Sequence, residues 1–181
     1  HRYQDEFLIG NISYRKFCEL DAAHWKGLSE NELRMTFNSL PYSKNAVNSI
    51  RRLREMGFIL VALSTGLQFM TDRVKTELKF DYALSNRLIS RKGILTGGIK
   101  INITHGEKDR ILKKVLKKLR VKPSEVISVG DSDGDIPIAK LSGYSIAFNS
   151  SSKALSKMAD YDSGTKDFNE VLKQIIRVNQ K

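Results

Sequence analysis

The stretch VISVGDSDGDIP, Val126 to Pro137, decides the reading of this chain. Val126 to Val129 has the length and composition of a short buried strand, and Gly130 followed by Asp131, Asp133 and Asp135 loads its C-terminal end with carboxylate. Three acids this close repel one another. They coexist when solvated or when a cation or basic side chain sits among them, and the C-terminal edge of a parallel sheet is where open α/β folds place their ligands. A divalent-metal site is the leading reading. A solvated Asp/Gly turn is the plain alternative. A calcium loop is excluded, because Ile136 stands where its glycine belongs and Ser142 where its final glutamate belongs.

The whole chain is compatible with that site. Its 181 residues suffice for one domain with a real core, or a domain with a smaller insert, and a composition that is 40% hydrophobic and 8% aromatic is that of a globular protein. There is no apolar run of membrane-spanning length and no signal-peptide pattern at the N-terminus. A single cysteine, Cys18, allows no internal disulfide and fits a small buried hydrophobe in a helix. These features predict a soluble, cytoplasmic protein.

Lysine and arginine number 31 against 20 acidic residues, a net charge of +11, which suits an anionic partner. Much of the excess lies at Lys113, Lys114, Lys117, Lys118, Arg120 and Lys122. The intervening Ile111, Leu112, Val115, Leu116 and Leu119 make this an amphipathic helix with a solvated basic side. No aromatic residues interleave with the lysines, so a nucleic-acid partner is disfavoured against a small phosphorylated metabolite.

Around this core the chain alternates. Residues 3–40 read as helical, with a break at Gly10-Asn11 and a capping box that starts a helix at Ser29. From Ser43 helices and short apolar strands take turns, as βαβ units do. The pattern predicts a helix over 43–56 capped by Gly57, a strand over 58–63, and a helix from about Leu67 to Lys79 opened by Ser64-Thr65-Gly66. A strand at Tyr82–Leu84 and a β-hairpin within 88–103 follow. After the basic helix from Lys108 come a helix over 136–141, a strand over 144–148 and a final helix over 168–178, with Ser150-Ser151-Ser152 as only a loop. The expected fold is three-layer α/β with a mostly parallel sheet, residues 43–181, topped by a small helical cap, residues 1–42.

Ser64 at one strand end, Lys108 at a helix start and Gly-Asp-x-x-x-Asp at another strand end are more specific in that order than any one of them alone. The segments GFILVALSTGL (57–67), FDYALSNRLISRKGILTGGI (80–99), GEKDRIL (106–112) and VISVGDSDGDIPIAKLSGYSIAFN (126–149) resemble the haloacid dehalogenase superfamily, in its phosphoserine phosphatase-like branch. The resemblance implies a Rossmann-like core and Mg²⁺-dependent phosphomonoester hydrolysis. Ser64 would hold a phosphoryl oxygen with Thr65 and Gly66, and Lys108 would neutralise phosphate charge. Asp131 and Asp135 would form the metal site, Asp135 also orienting Lys108 or a metal-bound water. Such offset charge is what lets a carboxylate attack a phosphate monoester dianion.

Two departures stand out. The family's first motif, Asp-x-Asp-x-Thr/Val, supplies the nucleophile and the general acid/base, and it is not in this sequence. Asp131-Ser132-Asp133 cannot stand in for it, since Ser64 and Lys108 would have to follow it. The expectation is a sequence that starts inside a longer protein, with the lost strand belonging between the strands that end at Ser64 and Asp131, so that this chain does not turn over substrate while its parent does. Phosphoserine phosphatases also place an arginine in the cap; the matching position holds Asp21, with Arg15 or Lys16 as substitutes, and Gly134 replaces a common asparagine. The rival reading is a non-catalytic protein that binds phosphate or nucleic acid through its positive charge.

Overall fold

A computed structural model describes residues 2–180. In chain order the first elements are α1 (Arg2–Leu8), α2 (Tyr14–Ala23), α3 (Glu30–Ser39), α4 (Ala46–Glu55), β1 (Val61–Leu67), α5 (Gln68–Glu77), β2 (Tyr82–Arg91) and β3 (Ile94–Lys100). Then come α6 (Lys108–Leu119), β4 (Ile127–Gly130), α7 (Ile136–Leu141), β5 (Tyr144–Ala147), α8 (Lys153–Met158), β6 (Tyr161–Asp162) and α9 (Phe168–Asn179). They divide into two compact units, one of residues 2–40 and 61–105, the other of residues 41–60 and 106–180.

The first unit folds around Phe69, which is fully buried with Ala22, Leu88 and Leu95, while Trp25, Leu33, Phe37, Leu67 and Ile99 pack against them. Phe37 stacks on Phe69 with ring centroids 5.1 Å apart. Ser29 caps α3 as its spacing foretold, its hydroxyl accepting the Glu32 N–H. β1 pairs with β2 in parallel and β2 with β3 antiparallel. The hairpin turn lies at Lys92-Gly93, where φ values of 49° and 79° supply the left-handed pair that a tight two-residue connection needs. Cys18 is buried in α2, as expected.

The second unit holds a parallel sheet in the order β4-β5-β6. α4 and α9 pack on each other through buried Ile50, Leu53, Val171 and Ile175. Gly57, at φ 84°, ends α4 where the sequence placed its cap. Leu112, Val115 and Leu116 bury one face of α6, while Lys113, Lys114, Lys117 and Lys118 stay exposed, as the amphipathic pattern predicts.

Parallel pairing prevails, as expected. Among the described residues the strands form two three-stranded sheets, with β1 and β4 each at an edge. Helix α8 and strand β6 were not foreseen, because six and two residues are too few to show a period. Among the described residues no helix is long and apolar enough to cross a membrane.

Candidate active site

The acid turn is organised by Asp135. After β4 the chain passes through extended Ser132 into a 3-10 turn over Asp133–Asp135, which folds the Asp135 carboxylate back against the strand end. Gly130 makes room for it: a Cβ there would sit 2.4 Å from the Asp135 Cβ. Asp135 Oδ2 accepts the N–H groups of Asp131 and Ser132 at 3.0 and 3.2 Å and the Ser132 hydroxyl at 3.1 Å. Oδ1 accepts from Lys108 Nζ at 2.6 Å, and both side chains are buried.

Electrostatics separate the two acids. Burial pushes the Asp135 carboxyl up, but the Lys108 charge and the hydrogen bonds from Lys108, Asp131 and Ser132 outweigh it and hold the group below its ordinary value. Asp131 shifts the other way. Partial burial of its inner face and the neighbouring Asp135 charge raise it, and Lys108 only partly offsets them. A carboxyl that is costly to ionise beside another acid is one that a cation would stabilise.

The rest of the wall comes from the segment after β5, which the sequence suggested was only a loop. The Asp131 carbonyl accepts the Ser151 N–H at 2.9 Å and the Ser150 and Ser151 hydroxyls at 3.0 and 3.3 Å. Ser152 donates its hydroxyl to the Asp133 carboxylate and caps α8 by accepting the Leu155 N–H. Serine hydroxyls are donors as well as turn formers, and the donor role shows only once the acid turn is beside them.

Among the described residues no three His, Cys, Asp or Glu side chains form a group that could hold a metal ion unaided. Magnesium keeps several waters and uses one or two carboxylates plus substrate phosphate, so the exposed Asp131 carboxylate fits such an ion. Asp135 has both oxygens engaged by the protein.

Ser64, Thr65 and Gly66 form a bulge within β1 of the first unit. The pairing of β1 with β2 shifts register between Leu63 and Leu67, so these residues stand out from the ladder. They precede the helix rather than open it, since α5 starts at Gln68 after Leu67. Gly66 N–H donates to Ser64 Oγ at 3.0 Å, which leaves the serine's own hydrogen for an anion. The Thr65 carbonyl accepts from Asn86 Nδ2 at 2.9 Å and from the Tyr14 hydroxyl at 3.4 Å. Asn86 sits among serines and arginines in β2, and nothing in the local sequence marks it out. Arg15 and Lys16 are exposed on α2, and Asp21 is half-buried in its last turn.

Thus Lys108, Asp131 and Asp135 meet in one unit, while Ser64, Thr65 and Gly66 make a strand bulge in the other.

Known proteins bear on this arrangement. Residues 2–140 match the haloacid dehalogenase-like hydrolase family. The phosphoserine phosphatase of Archaeoglobus fulgidus is 34% identical over 152 residues, 83% of this chain and 44% of that protein. The phosphoserine phosphatase of Methanocaldococcus jannaschii is 27% identical over 171 residues, 94% of this chain and 81% of that protein. The chain therefore spans less than half of the first relative and about four fifths of the second. A solved phospho-aspartyl intermediate analogue of phosphoserine phosphatase superposes with a TM-score of 0.82 at 26% identity, covering 96% of this chain and 83% of that one. A substrate-bound phosphoserine phosphatase complex gives 0.83, also at 26% identity, over 96% and 82%. The chain belongs to the haloacid dehalogenase-like hydrolase family, in its phosphoserine phosphatase-like branch.

Proposed function

We propose that the protein to which this chain belongs is a cytoplasmic, Mg²⁺-dependent phosphomonoester hydrolase acting on a small phosphorylated metabolite, phosphoserine being the leading candidate. The observation that carries this reading is the buried Lys108–Asp135 pair beside Asp131 at the end of a parallel strand. A lysine whose position is fixed by a buried carboxylate is preorganised to meet a phosphate dianion, and needs no reorganisation when charge shifts in the transition state.

Each residue has a distinct part. Ser64 donates its hydroxyl hydrogen to a phosphoryl oxygen, a role supported by its oxygen already accepting from Gly66. Lys108 offsets phosphate charge. Asp135 holds Lys108 and the main chain of the acid turn in place, and Asp131 holds the Mg²⁺. When bound, that ion supplies charge neutralisation and orientation of the phosphoryl group. The nucleophile would be an aspartate of the family's first motif, which these 181 residues do not contain. In the same reading residues 1–42 are part of the cap over a core of residues 43–181.

The test is steady-state hydrolysis of a panel of phosphorylated metabolites by the full-length protein, with and without Mg²⁺. Turnover that needs Mg²⁺ and falls at least a thousandfold in Lys108→Ala supports the reading. The rival nucleic-acid reading draws on the exposed lysines of α6. It gains if no substrate turns over and the protein binds DNA or RNA with strong salt dependence.

A further inference from the structure

The Thr65–Gly66 peptide is gripped from both sides. Its carbonyl accepts from Asn86 and Tyr14, and its N–H, on Gly66, donates to Ser64 Oγ. Because a peptide is planar, holding the carbonyl fixes the direction of the N–H. That N–H in turn occupies the Ser64 oxygen, so the serine's hydrogen must point elsewhere.

Asn86 joins this peptide to the segment after β3. It is 1% exposed, and its amide makes every bond it can: Nδ2 donates to Thr65 and to the Tyr14 hydroxyl, and Oδ1 accepts the N–H groups of Asn102 and Ile103 at 2.8 and 2.9 Å. Tyr14 accepts from Asn86 at 3.0 Å, which leaves its own hydrogen to be shared between the Thr65 carbonyl at 3.4 Å and the neighbouring Cys18 thiol. Burial, followed by the neighbouring Cys18, raises its phenol, which keeps that hydrogen in place across the working pH range. The ring is wedged against Phe7 at 5.5 Å and Phe17 at 6.1 Å, so the hydroxyl has little freedom to leave.

We propose that Tyr14 and Asn86 are positioning residues that lock the Thr65–Gly66 peptide and so make Ser64 an outward hydrogen-bond donor to a phosphoryl oxygen. The inference rests on the reading of Ser64 as a phosphate ligand. It adds that helix α2, through one phenol, is coupled to the β1 bulge proposed to meet phosphate.

The experiment is a double-mutant cycle in the full-length protein, with affinity for inorganic phosphate read by calorimetry and kcat and KM read on a phosphomonoester. Tyr14→Phe keeps the ring and removes only the hydroxyl. It should weaken phosphate binding about threefold to tenfold, the range of one hydrogen bond, with little change in melting temperature. Asn86→Asp, which sets an oxygen against the Thr65 carbonyl, should weaken it further. In a Ser64→Ala background Tyr14→Phe should have no effect on affinity, because the phenol acts through that serine. A Tyr14→Phe effect that persists undiminished without Ser64, a change in melting temperature alone, or a wild-type protein that binds no phosphate each overturns the proposal. A wild type that binds phosphate with this coupling but hydrolyses no ester leaves it standing and removes the proposed activity instead.

Discussion

Each unit arranges a polar strand end around one buried side chain with a full set of hydrogen bonds, and the two side chains differ in charge. In the first unit the hub is Asn86, a neutral amide that ties together α2, the end of β1 and the segment after β3. In the second it is Asp135, a carboxylate that ties β4 and the acid turn to the start of α6. The neutral hub closes on itself; none of its partners carries a charge. The ionic hub is only as good as its partner, since a buried carboxylate without Lys108 is an uncompensated charge. Neutral networks give fixed geometry at low electrostatic risk, whereas ionic ones also place a charge where a ligand's charge is to be met.

The largest expected effect follows from that asymmetry. Lys108→Ala should destabilise the chain by about 3–5 kcal/mol, the usual cost of stranding one member of a buried pair. Lys108→Ala combined with Asp135→Ala should be less destabilising than the sum of the two single changes, because the stranded charge is then gone. Denaturant unfolding of the four proteins measures the coupling. Additive losses would mean that Asp135 acts mainly on the turn backbone, and the contrast between the hubs would collapse.

An intermediate effect is expected at the neutral hub. Asn86→Ala strands the N–H groups of Asn102 and Ile103 and removes one donor to Thr65, at a cost of about 1–3 kcal/mol. The same unfolding measurement checks it. A loss as large as that of Lys108→Ala would show that charge is not what distinguishes the two hubs.

The difference also explains what the sequence made legible. The acid turn was visible as three crowded carboxylates after a glycine, whereas the roles of Lys108 and Asp135 came from their order with Ser64 and the family resemblance, since a lysine at a helix start is by itself most often a surface residue. The long helices were visible through their periods and Gly57 and Ser29 through cap chemistry, while the strand expected over 58–63 runs from Val61 to Leu67 and the one expected at Tyr82–Leu84 continues to Arg91. Asn86, Tyr14 and Ser150–Ser152 were not visible, because their partners lie far off in sequence: Asn86 reaches Tyr14 across 72 positions, and Ser150 reaches Asp131 across 19. An amide or a hydroxyl has no local pattern that reveals such a partner. Ser64–Gly66 reads in sequence as a helix start but is a step out of register in the strand, which turns on the pairing with β2 rather than on the residues themselves.

The smallest expected effect separates charge from geometry by pH. Asp167 caps α9, accepting from Asn45 Nδ2 at 2.9 Å, from the Asn169 N–H at 3.0 Å and from Lys44 Nζ at 3.1 Å. The Asn45 bond first, then those of Asn169 and Lys44, bring its carboxyl down to about 2. A folded-state value below the ordinary carboxylate value, about 4, means that the unfolded chain binds the proton more readily. The stabilisation is therefore complete above about pH 4 and is lost as pH falls through about 2. Asp167→Ala should lower the melting temperature by a few degrees at neutral pH, and the gap to wild type should close between about pH 4 and 2. Asn86→Ala, which removes no titrating group, should show a gap that stays constant over the same range. Melting curves of the three proteins at stepped acid pH decide it: an Asp167→Ala gap that persists below pH 2 would make that contact one of shape alone, as the neutral hub is.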